Sequence, residues 1–362
     1  MKILSIDTSC DETSVAVTDN TRVLSNIIWS QASLHAKFGG VMPSLAQREH
    51  ESRIDWVVNR AIKYSQLQTT NLDAIAVTVG PGLAIALGVG INKAKVLAKK
   101  YNKPLIAVNH LEGHLLSCLA EPKTEISKSK FLISKQNKNI KFKINNLSFP
   151  SMGLVVSGGN TQLILIEKLG RYKIIAETQD DALGEALDKA ARMLGLGYPG
   201  GAILEQFAKK GNPKAYNLPV PLMGKEDRQI FSYSGLKTAF YRVIEQTTKS
   251  HGLNKMQIYN LAASYQEVAF KHLIRVVSYS ITHTSHVVSH LFVGGGVAAN
   301  VELRKRIRKM CREYKINPLF PYSNKLYGDN AAMVGVVAYF KAKRNEFVSS
   351  QKIDRVPDFK LD

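Results

Sequence analysis

Residues 2–18 read KILSIDTSCDETSVAVT, and this stretch decides the fold. A β-prone run at residues 2–6 leads into a polar turn at residues 7–13, and residues 14–18 resume the strand pattern. The same strand–turn–strand pattern returns at residues 152–166, MGLVVSGGNTQLILI, although the two stretches share a pattern and not an identity. This repetition suggests that the chain contains two similar lobes.

Strands and helices alternate after each of these openings. Short apolar runs bounded by turn residues predict buried strands at residues 72–79, 104–108 and 291–293. Helical spacing of the apolar residues predicts helices at residues 44–64, 181–194, 256–280, 300–310 and 331–343. Such alternation favours an α/β fold with right-handed crossovers. We therefore expect two α/β lobes with a cleft between them.

The chain of 362 residues is strongly basic, with 49 Lys and Arg against 29 Asp and Glu and a formal net charge of +20. This balance favours a polyanionic partner such as nucleic acid, although a generally basic proteome would give the same excess. Residues 121–150 carry seven Lys against two acidic residues and are predicted to be a solvated basic insertion or linker.

Cysteine usage and the apolar stretches indicate the compartment. The chain has three Cys, an odd number without metal-binding or redox spacing, which is typical of a reducing environment. Acidic residues follow the first short apolar run, so the N-terminus lacks a signal-peptide pattern. The most apolar stretch, residues 74–91, is interrupted by glycine and proline and does not resemble a membrane span. We predict a cytoplasmic protein without a membrane segment.

His110 and His114 are the first candidates for chemistry. On a helix these two residues share a face, so both imidazoles can reach one metal ion, but two unrelated surface histidines would give the same spacing. The metalloprotease motif H-E-x-x-H has Glu directly after the first His, where this chain has Leu111. Asp329 is a candidate third ligand, and its alternative role is to cap the last helix.

Three glycine-rich turns each follow a predicted strand, at residues 80–82 (GPG), 157–160 (SGGN) and 294–296 (GGG). Glycine lets the backbone approach a phosphate closely and leaves N–H groups to donate to it. None of the turns matches the Rossmann or Walker motif. Together they favour a nucleotide-type ligand, and the alternative is that they are ordinary tight turns.

Four acidic residues, Asp180, Asp181, Glu185 and Asp188, surround one predicted helix start. Acidic residues are favourable at a helix N-terminus without any function. Asp188 lies deeper in the helix, where the dipole explains it less well, so it is a candidate acceptor for ribose hydroxyls.

These motifs occur together in one known family. The sequence contains IDTSCDET at residues 6–13, NHLEGH at 109–114, LVVSGGNTQL at 154–163, DDA at 180–182, DK at 188–189, YPGG at 198–201, GGGVAAN at 294–300 and GDNAAM at 328–333. With them the chain resembles the tRNA threonylcarbamoyltransferase family, TsaD, once described as O-sialoglycoprotein endopeptidases. The resemblance covers nearly the whole chain, apart from residues 121–150, and its motif set is highly specific.

The resemblance implies a two-lobed actin/Hsp70/sugar-kinase-like (ASKHA) α/β fold with duplicated RNase H-like lobes. Lobe I then spans residues 1–120 and is completed by a C-terminal helix at about 329–345. Residues 121–150 form the basic insertion, residues 151–328 form lobe II, and residues 346–362 form a tail.

The resemblance also implies a ligand set. One divalent metal ion per subunit, Fe²⁺ in preference to Zn²⁺, is expected at His110, His114 and Asp329. Substrate contacts are expected from Val155, Val156, Ser157, Gly158, Gly159, Asp188, Gly201, Glu205 and Asn300. Glu205 stands where the family usually has an acidic residue, often Asp, and Asn160 stands where many members have His.

The implied reaction transfers threonylcarbamoyl from threonylcarbamoyl-AMP to the adenosine beside the anticodon of ANN-decoding tRNAs, with TsaB-like and TsaE-like partner proteins. Asp11 or Glu12 is the candidate proton acceptor, or these acids only order the turn. The alternatives are an ATP-dependent kinase of the same fold, a metalloprotease, and a non-catalytic scaffold that uses the helix at residues 45–61.

Overall fold

The computed structural model describes residues 1–123, 147–248 and 252–361. Most of the predicted basic insertion, residues 124–146, lies outside these ranges. Within the described ranges, no helix combines the length and the apolar character that a membrane crossing requires.

The first sheet has five strands in the order β3-β2-β1-β4-β5. β1 pairs antiparallel with β2, with Ile6 opposite Val15, and β2 pairs antiparallel with β3. β1, β4 and β5 run parallel, so the carboxyl ends of these three strands meet at one edge. The strands are β1 (Lys2–Asp7), β2 (Glu12–Asp19), β3 (Arg22–Ser30), β4 (Ala74–Gly80) and β5 (Leu105–Asn109).

The second sheet repeats this topology. Its order is β11-β10-β6-β7-β8-β9, with β6, β7 and β8 antiparallel and β6, β10 and β11 parallel. Without the two-residue β9, the order β8-β7-β6-β10-β11 reproduces the first sheet strand for strand, which confirms the predicted duplicated two-lobed fold. The strands are β6 (Ser151–Val156), β7 (Thr161–Lys168), β8 (Arg171–Thr178), β9 (Ile230–Phe231), β10 (His290–Gly294) and β11 (Asn317–Leu319).

The predicted helices are present, with small differences at their ends. The helix predicted from Asp181 begins at Leu183, because Ala182 is still extended (ψ 158°). The helix predicted at residues 331–343 has those bounds. The α-helices are α1 (Ala32–His35), α2 (Pro43–Ser65), α3 (Ala84–Tyr101), α4 (His110–Leu116), α5 (Leu183–Met193), α6 (Gly201–Ala208), α7 (Ser234–Thr248), α8 (Lys255–Thr282), α9 (Val301–Glu313) and α10 (Ala331–Lys343).

Three apolar cores hold these layers together. α2 and α3 cover the outer face of the first sheet, and the apolar residues Ile54, Val57 and Ala61 of α2 belong to that core. α5 and α8 contribute to the core on the outer face of the second sheet. The third core lies between the sheets and contains α4 and the almost wholly buried α10. Burial on all sides explains why α10 has an apolar sequence without a polar stripe.

Candidate active site

One cavity of about 570 Å³ lies where the two lobes meet. All three glycine-rich turns and the acidic turn after β1 contribute to its wall. The wall of this cavity includes Ser9, Asp11, Glu12, Gly82, His110, Ser157, Gly158, Gly159, Asp188, Gly201, Glu205, Gly296, Asn300 and Asp329. The strand-ending turns are therefore walls of a shared site, as the sequence predicted for a nucleotide-type ligand.

His110, His114 and Asp329 form a cluster, which we call the His–His–Asp cluster. Asn109 begins α4, and its side-chain oxygen accepts hydrogen bonds from Leu111 N (2.8 Å) and Glu112 N (3.2 Å). Both histidines then lie on one face, with Nε2 of His110 3.4 Å and Nε2 of His114 3.1 Å from Asp329 Oδ1. One ligand atom from each residue lies within 4.8 Å of the others, so the three side chains can meet at one ion.

Asp329 does not cap α10. The N-cap is Asn330, whose Oδ1 accepts a hydrogen bond from Met333 N at 3.1 Å and whose Nδ2 donates to Gly328 O at 2.9 Å. The capping interpretation of Asp329 is therefore wrong by one residue. Because its neighbour satisfies the helix terminus, the carboxylate of Asp329 is left to face the two imidazoles.

Charge and burial in the cluster fit a divalent ion. His114 is fully buried, and its Nδ1 has no hydrogen-bond partner within the described residues. Burial opposes ionisation of Asp329, yet His110 and His114 hold the pKa of its carboxyl well below the usual range. Two imidazole nitrogens and a carboxylate oxygen are a donor set that suits zinc and non-haem iron. Because His110 and Asp329 also line the cavity, a ligand position remains open on that side.

Asp7 lies behind the cluster and was missed by the sequence reasoning, although it is the last residue of β1 and opens the quoted polar turn. Its side chain is 1% exposed. Oδ2 is 3.4 Å from Nδ1 of His110, Oδ1 accepts a hydrogen bond from Ser9 N at 3.2 Å, and the Ser9 hydroxyl lies 3.1 Å from the same imidazole nitrogen. A carboxylate behind a metal-binding imidazole fixes its tautomer and orientation.

We predict that Asp7→Asn lowers the affinity of the protein for Zn²⁺ by about 10- to 100-fold. An amide has one acceptor oxygen, whereas the Ser9 N–H and the Nδ1–H of His110 both need one. The measurement is a chelator-competition titration of metal-free protein, with Asp19→Asn, at the other end of the β1–β2 pair, as the control. Equal affinities for wild type and Asp7→Asn would show that Asp7 does not orient His110.

The acidic turn reaches the cavity through Asp11 and Glu12. His50 of α2 holds this turn, because its two ring nitrogens lie 3.0 Å from Cys10 O and 2.8 Å from Thr13 Oγ1. Ser30 Oγ donates to Glu12 at 3.0 Å. Burial, together with the nearby Asp329 and Asp11, raises the pKa of Glu12 well above its usual range. A raised pKa makes the carboxylate of Glu12 a stronger base than an exposed glutamate.

The turn after β6 is pinned to the start of α5. Gly184 N donates to Ser157 O at 3.2 Å and Glu185 N donates to Gly158 O at 3.1 Å. A Cβ on Gly184 would lie 2.8 Å from the Cα of Gly158, so this contact requires glycine. The N–H groups of Gly158 and Gly159 donate no hydrogen bond to any part of the chain that the structure describes, which leaves them for an anion.

The other predicted substrate contacts differ in whether their polar atoms are already hydrogen-bonded within the protein. Asp188 Oδ1 accepts from Gly200 N (2.8 Å) and Gly201 N (2.6 Å), and burial raises the pKa of this carboxyl. Asn300 caps α9, and its amide also donates to Gln266 at 2.9 Å. Glu205 accepts from Val301 N at 3.1 Å. Asp188 therefore keeps a second oxygen for a ligand, whereas the side chain of Asn300 is committed to the fold.

Two predicted contacts lie outside the cavity wall. Val155 and Val156 are fully buried strand residues of β6, and their side chains pack in the cores on its two faces. The wall begins one residue later, at Ser157. The strand alternates between two covered faces, so neither side chain reaches the cleft.

The other acids of the sequence cluster are structural. Asp180 accepts hydrogen bonds from Ser232 Oγ (2.5 Å) and Tyr233 N (2.7 Å), while Asp181 pairs with Lys189 (2.6 Å) and Lys237 (2.8 Å).

The metalloprotease alternative requires a carboxylate next to the two histidines on α4, and α4 does not provide one. Leu111 is 2% exposed, and Glu112 accepts a 2.8 Å hydrogen bond from Tyr172 of β8 and is not part of the His–His–Asp cluster. Without a carboxylate beside the histidines on α4, the arrangement lacks the general base of that class.

The chain is similar to known proteins of one family over nearly its whole length. The model of the TsaD family, described as tRNA N6-adenosine threonylcarbamoyltransferase, matches residues 22–134 and 135–336. A protein of that name from Clostridium kluyveri is 39% identical over 368 residues, covering 100% of this chain and 98% of the relative. Another from Nostoc punctiforme is 40% identical over 341 residues, covering 93% and 90%. Among solved structures, the activator of 2-hydroxyisocaproyl-CoA dehydratase from Clostridium difficile aligns with a TM-score of 0.49 and 12% identity, covering 98% and 99%. The chain belongs to the TsaD family of tRNA N6-adenosine threonylcarbamoyltransferases.

Proposed function

We propose that this protein transfers a threonylcarbamoyl group from threonylcarbamoyl-AMP to the N6 amine of the adenosine beside the anticodon of ANN-decoding tRNAs. One observation carries the proposal: a single interlobe cavity gathers the acidic turn, three glycine-rich turns and the His–His–Asp cluster. Its volume, about 570 Å³, suits a nucleotide-sized ligand.

The donor lies in this cavity with its ribose at the free oxygen of Asp188 and its adenosine beside Gly201. The free N–H groups of Gly158 and Gly159 donate to its phosphate, as the amides of a nest do. Asn300 shapes the wall through its backbone, because its side chain caps α9.

A divalent metal ion, Fe²⁺ in preference to Zn²⁺, is held by His110, His114 and Asp329, with Asp7 orienting His110. Such an ion supplies Lewis-acid polarisation of a donor oxygen. The protein's part is to place the imidazole of His110 and the carboxylate of Asp329 on the cavity wall and to keep His114 behind them, away from water.

In the transfer, the N6 nitrogen forms a bond to the carbamoyl carbon, and the bond from that carbon to the phosphate oxygen breaks. AMP leaves with the electron pair of this bond. The proton lost from N6 goes to the carboxylate of Glu12, whose raised pKa makes it a stronger base than an exposed glutamate. Burial, Asp329 and Asp11 together raise that pKa.

The net charge of +20 supports tRNA as the macromolecular substrate. TsaB-like and TsaE-like proteins are the proposed partners, and the cytoplasm is the proposed compartment because the three cysteines are free.

The test incubates the full chain and its partner proteins with synthetic threonylcarbamoyl-AMP and unmodified tRNA, followed by mass analysis of the nucleosides. We expect threonylcarbamoyladenosine from the wild type and a rate about 100-fold lower from Glu12→Gln, because a positioned base contributes 10²–10⁴-fold. Asp11→Asn is the matched variant and should lose less. A wild-type preparation that makes no modified nucleoside but phosphorylates a small molecule with ATP would favour the kinase alternative.

A further inference from the structure

Helix α9 carries two half-buried guanidinium groups that lack an acidic partner among the described residues. Its sequence, VELRKRIRKMCRE, holds six Lys and Arg residues. Arg306 is neutralised, because it pairs with Glu267 and, at 3.0 Å, with Glu302. In the ranges that the structure describes, Arg304 and Arg308 have no carboxylate within ion-pair distance, although both are half-buried.

Both groups lie over aromatic rings. The Arg304 guanidinium carbon lies 5.5 Å from the ring centre of Tyr327, and that of Arg308 lies 4.7 Å from the ring centre of Phe320. Arg304 also donates to the Tyr327 hydroxyl at 3.4 Å, while its buried Nε donates to no described group. Such cation–π contacts restrain the two side chains without neutralising their charge, so N–H groups remain available to an anion.

This arrangement costs stability unless an anion is present. Arg304 and Arg308 are one helical turn apart, a spacing at which like charges repel. Burial lowers the pKa of Arg308, and the charge of Arg304 lowers it further. The chain tolerates two adjacent desolvated cations here while pairing Arg306 fully, which points to a partner that is not part of the described chain.

The pair lies on the helix that begins at the cavity wall, about one and two turns beyond its N-cap Asn300. Arg304 is one turn beyond Asn300, which lines the cavity. Tyr327, under Arg304, is two residues before Asp329, so their Cα atoms are at most about 7 Å apart. An anion held by these guanidinium groups would therefore lie outside the nucleotide cavity, on the helix that begins at the cavity wall.

We propose that Arg304 and Arg308 bind the phosphodiester backbone of the acceptor tRNA and thereby hold the reacting adenosine at the cavity mouth. The proposal rests on the proposed function and adds to it the surface that receives the polynucleotide. Guanidinium groups suit this role because they bind phosphate oxygens in pairs and keep their charge at any physiological pH.

The test measures binding of an unmodified ANN-decoding tRNA transcript to the full chain with its partners by fluorescence anisotropy at several salt concentrations. For the double variant Arg304→Gln/Arg308→Gln we expect about a 10-fold loss of affinity and a salt dependence reduced by roughly two counterions. Affinity for AMP, titrated separately, should not change, which separates a tRNA phosphate from the phosphate of the donor.

Lys305→Gln/Lys309→Gln is the matched control, because it removes two charges with the same spacing from the exposed side of α9. An equal loss in this control would reduce the effect to net charge and overturn the proposal. So would unchanged tRNA affinity in the arginine variant, or a loss confined to AMP. Arg304→Lys/Arg308→Lys keeps the charge and should recover only part of the affinity. This variant tests the proposal even if the glutamine variant fails to fold.

Binding is measured without donor, so the two proposals fail separately. A wild type that makes threonylcarbamoyladenosine, with tRNA affinity unaffected by the arginine changes, refutes only the surface. A wild type that makes none, with affinity lost in the arginine variant, refutes only the reaction.

Discussion

His110→Ala is expected to reduce threonylcarbamoyl transfer by about 1,000-fold, a loss of roughly 4 kcal/mol of transition-state stabilisation. The change removes one of three converging ligand atoms and leaves Asp329, which is 3.1 Å from His114, beside a single imidazole. It also opens a space next to the buried Asp7 carboxylate. The measurement is the initial rate of labelled threonine incorporation into tRNA from synthetic donor, together with the metal content of the purified protein.

The matched control is His286→Ala, which changes an exposed histidine in the loop after α8. It should retain both the metal and the rate. Full activity in His110→Ala would remove the cluster from the reaction. Loss of the metal with retained activity would leave His110 as a ligand of a structural ion.

The fold followed from the sequence because its signals are local. The alternation around residues 2–18 and 152–166 predicted both strand–turn–strand openings, and the same topology in both sheets confirms the duplication. α10 was bounded correctly because glycine and two cap-forming residues precede an apolar run. Val155 and Val156 were expected to contact the substrate, but both are strand residues whose side chains are buried in the cores.

The site was less predictable wherever it depends on contacts between distant segments. Asp329 and Asn330 are both able to cap a helix, but in the structure Asn330 accepts from Met333 N, while Ser14 of β2 accepts from Ala331 N at 2.8 Å. Asp7 reaches His110 because β1 and β5 lie on either side of β4 in the sheet. Similarly, Arg304 and Arg306 differ by two positions, yet only Arg306 meets Glu267 of α8. Periodicity carries no information on such pairings.

The His–His–Asp cluster also depends on a close backbone contact that the sequence motifs do not reveal. Gly294, the last residue of β10, lies against the main chain of His114 in α4. A Cβ at Gly294 would overlap the carbonyl oxygen of His114 and lie 2.6 Å from its carbonyl carbon, closer than real Cβ atoms approach a backbone. Lobe II therefore touches the ligand-bearing helix directly, so the position of β10 helps to set that of His114.

Gly294→Ala is expected to destabilise the protein by about 3 kcal/mol and to lower its melting temperature by roughly 4 °C, because backbone must move to admit the methyl group. Since the segment displaced carries His114, affinity for Zn²⁺ should fall as well. Thermal melting and chelator competition measure the two effects. The control is Gly296→Ala in the same turn, where an added Cβ meets no atom within 4 Å and should shift the melting temperature little. If Gly294→Ala melts like the wild type, β10 does not constrain α4. If it melts early but binds Zn²⁺ normally, the contact supports the fold and not the metal centre.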